Sequence, residues 1–386
     1  MYIKPTLLLI FTALTFSSFG QVSIASNINI YTDSTTKTQI LNSLNGFLAQ
    51  KEKPNKENSY VQKEDLLSMS ILLDEIKGIE KSGKFKNNNF YKGYVTDLMV
   101  LNANEYLVGL SYIGVNDTLP LLRASFELVA QKVNDVFYFH SVLKQNTVLW
   151  KSEKMGSTQF YYKTTFNASN AKKYLKKVDE YDKRLNATDQ PTAFYCCDNY
   201  HDVLQMIGVD YKSDYSGYSH NTLTSHENGN NLVVDGTTTS DFTTFDPHDL
   251  WHDRLHRVLS TEIINRPVDE GCAYLYGGSW GISWDDVLQK FKAYAAANPN
   301  ADWVSLYNDN KDFAGIQGKP ITACYAINAL LVQKIEKEKG FSAVIELLSC
   351  GKKEVGNENY FKALQKITGI DKANFNANVW MLIKGS

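Results

Sequence analysis

Between Phe245 and His256 the chain reads Phe-Asp-Pro-His-Asp-Leu-Trp-His-Asp-Arg-Leu-His, and this segment narrows the choice of folds more than any other. Asp246 is a good N-cap, and Pro247 suits the first helical position. The pattern predicts a helix from here to about Ser260. His248, His252 and His256 recur along it at every fourth residue. With ~100° between successive residues, His248 and His252 border the apolar set Trp251, Leu255, Val258 and Leu259. His256 drifts towards the polar side of Asp249, Asp253 and Arg257. The first two histidines are therefore the pair that can be half-buried and share a metal.

Two imidazoles one turn apart can reach one Zn²⁺ at about 2.0–2.1 Å, and such a site needs a third protein ligand. Eighteen residues after His252 comes Glu270, within Val268-Asp269-Glu270-Gly271-Cys272-Ala273-Tyr274. Pro267 marks another helix start just before it. A second register, with His256 replacing His248, leaves only fourteen residues to Glu270. Asp269 reads as a helix-start charge rather than a ligand.

With these residues in view, the chain resembles the peptidase MA-like gluzincins, zinc metallopeptidases that share the thermolysin core. The Glu-Gly segment at Glu270 is similar to the helix that carries their third ligand. Ile321-Thr322-Ala323-Cys324-Tyr325-Ala326 opens a helix running to Glu338, followed by Gly340, Phe341–Leu348 and Gly351, and this resembles a later stretch of the family. The ending, with Tyr360–Thr368, Gly369 and Trp380, resembles its terminal signature. The resemblance covers roughly residues 155–386. It implies a zincin-like α/β domain with a helical C-terminal subdomain, a bound Zn²⁺, ligands His248, His252 and Glu270, and a peptide or protein substrate. It also implies that Tyr325 donates a hydrogen bond to a tetrahedral oxyanion. The other reading of Tyr325 is a core aromatic, and Tyr274 and Tyr276 are weaker candidates for the same role.

Position 249 departs from the family. Gluzincins have Glu after the first histidine, where it takes a proton from water and passes it to the leaving amine. Here the residue is Asp249, one methylene shorter. It can act as the base if the helix shifts or a water intervenes. It can instead close a capping box with Asp246. A third reading is a catalytically silent module that keeps the metal and binds a peptide, glycan or protein partner.

The rest of the chain sets the context. Lys4, the apolar run Leu7 to Phe16 and Ser18-Phe19-Gly20 have the order of a cleavable signal peptide over residues 1–20. The expected destination is secreted or periplasmic, with no integral membrane segment after cleavage. A formal charge of −2 without a basic stripe argues against nucleic acid. Five cysteines in an oxidising compartment allow one or two disulfides, a Cys272–Cys324 bridge among them. His140, His201, His220 and His226 have no ligand-like spacing.

Residues 22–152 read as an α+β domain, a helix packed on a curled antiparallel sheet. A polar stretch runs to about Lys63, and the first helix is Leu66 to Lys84. Strands follow at Tyr91–Leu101, Glu105–Ile113, Leu121–Lys132 and Val136–Lys144, joined by hairpin turns. In element order this domain is similar to the nuclear-transport-factor and cystatin folds. Met155-Gly156-Ser157 is the expected joint. Beyond it come a strand at Gln159–Phe166, an amphipathic helix at Ala171–Leu185 and a strand at Ala193–Cys197. Helix Tyr200–Ile207, a polar loop and strand Asn231–Asp235 then lead to the histidine segment.

Overall fold

The computed structural model describes residues 22–386 apart from 26–27, 29–31, 219–220, 244 and 317. Residues 1–20, which read as a signal peptide, and His220 lie outside the described residues. The protein is α+β, with a helix ahead of its first antiparallel sheet and a helical C-terminal region. It divides into two compact units. One comprises residues up to Lys151 together with Cys197–Gly236, and the other Ser152–Cys196 with Thr237–Ser386.

The first unit is built on strands Lys92–Val100, Glu105–Asn116, Leu119–Val133 and Val136–His140, an antiparallel meander. Bulges at Val95/Asp97 and Tyr112/Ile113 bend it. A helix missing from the sequence reading, Ser34–Ala49, lies in the stretch expected to be irregular. Asp33 caps it by accepting from the Thr36 N–H at 2.9 Å, and its buried Ile40, Leu44, Phe47 and Leu48 form one stripe. Phe47 meets Phe139 of the sheet at 5.0 Å between ring centroids. The helix expected at Leu66 to Lys84 stops at Ile76, ahead of Gly78 in a left-handed turn.

Residues 197–236 were expected within the 155–386 body but belong to this unit. The reason is strand pairing: Val209–Lys212 adds to the edge of Leu119–Val133, with Ala124 opposite Lys212. The expected polar loop also contains a strand, Thr222–Glu227, which pairs with Asn230–Asp235 across Asn228-Gly229. Both turn residues have positive φ, the conformation that tight hairpins demand.

Asp65, at the start of the Leu66–Ile76 helix, is buried against the sheet. Its carboxylate meets His140 Nδ1 at 2.7 Å and accepts from Lys144 Nζ at 3.1 Å. Burial alone would raise its pKa, but the His140 ring and the Lys144 ammonium outweigh it and hold Asp65 below the usual carboxylate value. A depressed folded-state pKa contributes stability above the unfolded value of about 3.9 and loses it as pH falls through the folded one. Asp65→Asn is expected to cost about 1–3 kcal/mol at pH 7. Urea melts at pH 7 and pH 3 check this, and an equal gap at both pH values would rule out the ion pairing as its source.

In the second unit, strands Thr158–Tyr162 and Thr192–Cys196 pair in parallel, with helix Ala168–Leu185 as the crossover. Lys151–Met155 lies beside Thr158–Tyr162, so Met155-Gly156-Ser157 is the turn between neighbouring strands rather than a joint. The helices that follow include Pro247–His256, Arg266–Gly277, Trp284–Ala297 and Ala323–Lys339. Their shared core gathers Trp251, Leu255, Val268, Trp303, Ile327 and Leu331. Gly271 marks where Arg266–Gly277 crosses Ala323–Lys339. A Cβ there would lie 2.5 Å from the Asn328 Cβ and 2.9 Å from the Ala329 N. Among the described residues no helix is long and apolar enough to cross a membrane.

The Cys272–Cys324 bridge is not formed, and Cys272, Cys324 and Cys350 are thiols. Gly271 takes the crossing point against the helix of Cys324, and the Cys324 thiol donates instead to Asn310 Oδ1 at 3.3 Å.

Candidate metal centre

Local chemistry starts both helices of the site as expected. Asp246 caps Pro247–His256 through the His248 N–H at 2.8 Å, with Pro247 in the first turn. Asp249 closes no capping box, which removes the local structural reading of that residue. The helix ends at His256 rather than near Ser260, because the chain tightens there: the Val258 N–H bonds to Leu255 O, three residues back. The second helix, Arg266–Gly277, begins with Pro267 in its first turn.

Three supports fix one helix on the other. Gly277 brings the end of the second against the start of the first, where a Cβ would lie 2.5 Å from the His248 N. The buried Tyr181, from Ala168–Leu185, donates within 3.0 Å of both Pro247 O and Tyr276 O. Arg254 donates to both carboxylate oxygens of Asp182 at 2.6 Å, tying the histidine helix to that same crossover helix.

These supports bring His248, His252 and Glu270 together. The two Nε2 atoms are 3.2 Å apart. Glu270 Oε2 lies 3.5 Å from His248 Nε2 and 3.9 Å from His252 Nε2. Ligands about 2.05 Å from a tetrahedral ion are separated by about 3.3 Å, so these spacings fit such an ion. All three side chains are largely buried, at 15%, 21% and 8% exposure. The set can hold a metal ion. His256 is exposed, its ring 6.5 Å from that of His252, and it does not join the cluster. Asp253 pairs with Arg257, so the register using His256 is not the one assembled.

Each histidine is held through its other nitrogen. His248 Nδ1 is 2.8 Å from the Gly278 carbonyl. His252 Nδ1 lies 2.8 and 2.9 Å from the two oxygens of Asp269, whose Oδ1 also accepts from Trp251 Nε1 at 3.1 Å. Such outer partners fix the ring and leave Nε2 for the metal. Asp269, read from sequence as a helix-start charge, is therefore the residue that orients His252. Its only sequence signal was its place beside Glu270.

The electrostatics match a cation site. Burial opposes the His248 imidazolium, but the Glu270 carboxylate and the Gly278 carbonyl outweigh it and raise its pKa. Burial would raise Glu270, yet the adjoining His248, with His252 and Arg266, keeps it below the ordinary value. Asp249 is exposed, but the protein crowding its carboxyl and the nearby Asp246 charge raise its pKa against the pull of His248 and His252.

Tyr325 reaches the same place from Ala323–Lys339. Its ring packs edge-on against Tyr274 at 5.6 Å, and Tyr274 in turn lies 5.8 Å from His248. Tyr325 is half-buried, and its hydroxyl lies within reach of the Arg266 charge. Tyr276 points elsewhere, donating to Glu336 at 2.8 Å. Of the remaining histidines, His140 serves Asp65, His226 pairs with Asn231 at 2.8 Å, and His201 is exposed. The chain matches no protein-family model and no curated protein.

Proposed function

We propose that the chain is an exported, zinc-dependent hydrolase of peptide bonds, of the gluzincin kind. The observation that carries this reading is the His248–His252–Glu270 cluster, with both histidines oriented from behind and a carboxylate at position 249. Two nitrogens and one oxygen at these spacings form a donor set suited to zinc. Zinc bound there supplies a Lewis acid that polarises a carbonyl and acidifies water near neutral pH.

The remaining roles belong to side chains of this chain. Asp249 carries the proton from the attacking water to the leaving amine, and its raised pKa suits a group that must both accept and release it. Tyr325 offers a hydroxyl at the edge of the cluster, where charge develops on the carbonyl oxygen. Asp269 and the Gly278 carbonyl keep the two rings from turning away.

Asp249→Ala is expected to retain zinc while kcat/KM on a cleaved peptide falls by about 10²–10⁴. A peptide-library digest with metal analysis of the same samples tests this. Unchanged cleavage would remove Asp249 from the mechanism. The residue type itself favours a second reading, a zinc-holding module that binds a partner without cutting it. That reading expects an inactive parent, and an Asp249→Glu variant that gains cleavage.

A further inference from the structure

Arg266 opens the glutamate helix one turn before Glu270. Its Nη2 donates to Glu270 Oε1 at 2.7 Å, a charge-assisted bond. This is not an ordinary surface pair, because the Glu270 side chain is 8% exposed and that of Arg266 is 75%. With Oε1 engaged, Oε2 is the oxygen turned towards the two histidine nitrogens. The Tyr325 hydroxyl lies within reach of the same guanidinium's charge.

We propose that Arg266 is a positioning residue: it occupies one carboxylate oxygen of Glu270 so that a metal meets only the other. The inference rests on the metal-binding reading above. A carboxylate can bind a metal through one oxygen or both, and which it does depends on what else holds it. The arginine fork is planar and presents several donors in fixed directions. It can therefore hold Glu270 in one geometry, whereas lysine offers a single mobile ammonium. Binding Oε1 also draws charge from Glu270, leaving a bound ion more positive than a fully anionic ligand would.

The test uses Co²⁺ as the probe on the full chain, comparing the parent with Arg266→Ala and Arg266→Lys. The alanine variant is expected to bind Co²⁺ about 10–100-fold more weakly. Its visible d–d bands should also weaken, because the freed Oε1 adds to the coordination. Arg266→Lys should recover part of the affinity but not the parent spectrum. A bystander on the surface would move none of these readings. An alanine variant with the parent's affinity and spectrum would overturn the role of Arg266 alone. A parent that takes up no cobalt would overturn the metal reading, and this role with it. Should Arg266→Ala fail to fold by circular dichroism, the same two readings on Arg266→Gln decide.

Discussion

His252→Ala is expected to yield a folded protein that retains no zinc through chelator-free purification. His252 supplies one of three donor nitrogens and oxygens, and its Nε2 sits 3.2 Å from that of His248. The loss would leave one nitrogen and one oxygen, too few for a tight protein site. The fold should survive, because the Trp251 indole still donates to Asp269 and the helix keeps its apolar face. His256→Ala is the matched control, since that ring is exposed and outside the cluster. Elemental analysis of both variants settles the point. One zinc per chain persisting in His252→Ala would sink this ligand set.

The largest expected loss of stability comes from Arg254→Ala, at about 3–5 kcal/mol. Arg254 is 8% exposed and makes two 2.6 Å bonds to the equally buried Asp182. Removing the arginine strands a carboxylate away from water, and that uncompensated charge is the main cost, not the lost attraction. The double variant Arg254→Met/Asp182→Leu should therefore recover most of the loss, because it removes both charges and keeps the volume. Denaturant melts of the single and double variants check this. A single variant within about 1 kcal/mol of the parent would show that water reaches Asp182 after all.

The sequence revealed those parts of the structure whose causes are local. An Asp-Pro start and a four-residue histidine spacing place His248 and His252 on one face without any tertiary information. Pro267 likewise announces the helix that carries Glu270. What distant packing decides was hidden. Asp269 looks like any helix-start acid until the second helix is laid across the first, and only then does it face His252. Cys272 and Cys324 stay unbridged although both lie near ligand-bearing segments, and the glycine crossing at Gly271 has no local sequence signal. The Ser34–Ala49 helix escaped because Thr and Asn dilute its apolar stripe, yet Asp33 three residues before Thr36 was a usable cap signal. Asn228-Gly229 was an equally usable hairpin signal. The return of residues 197–236 to the first unit was hidden because a short edge strand, Val209–Lys212, carries the chain back to the first sheet.

The two ligand-bearing helices are consecutive, and Gly277 seats the end of one on the start of the other. All the donors therefore fall between His248 and Glu270, and closing so short a loop costs little chain entropy. Cofactor capture needs only this helical hairpin and the few groups that brace it, so the ion can be acquired by a local event. A chain that has formed the hairpin already presents both imidazoles and the carboxylate. An ion held there would join the remaining helices as a fixed point around which they pack, and so act as a folding aid.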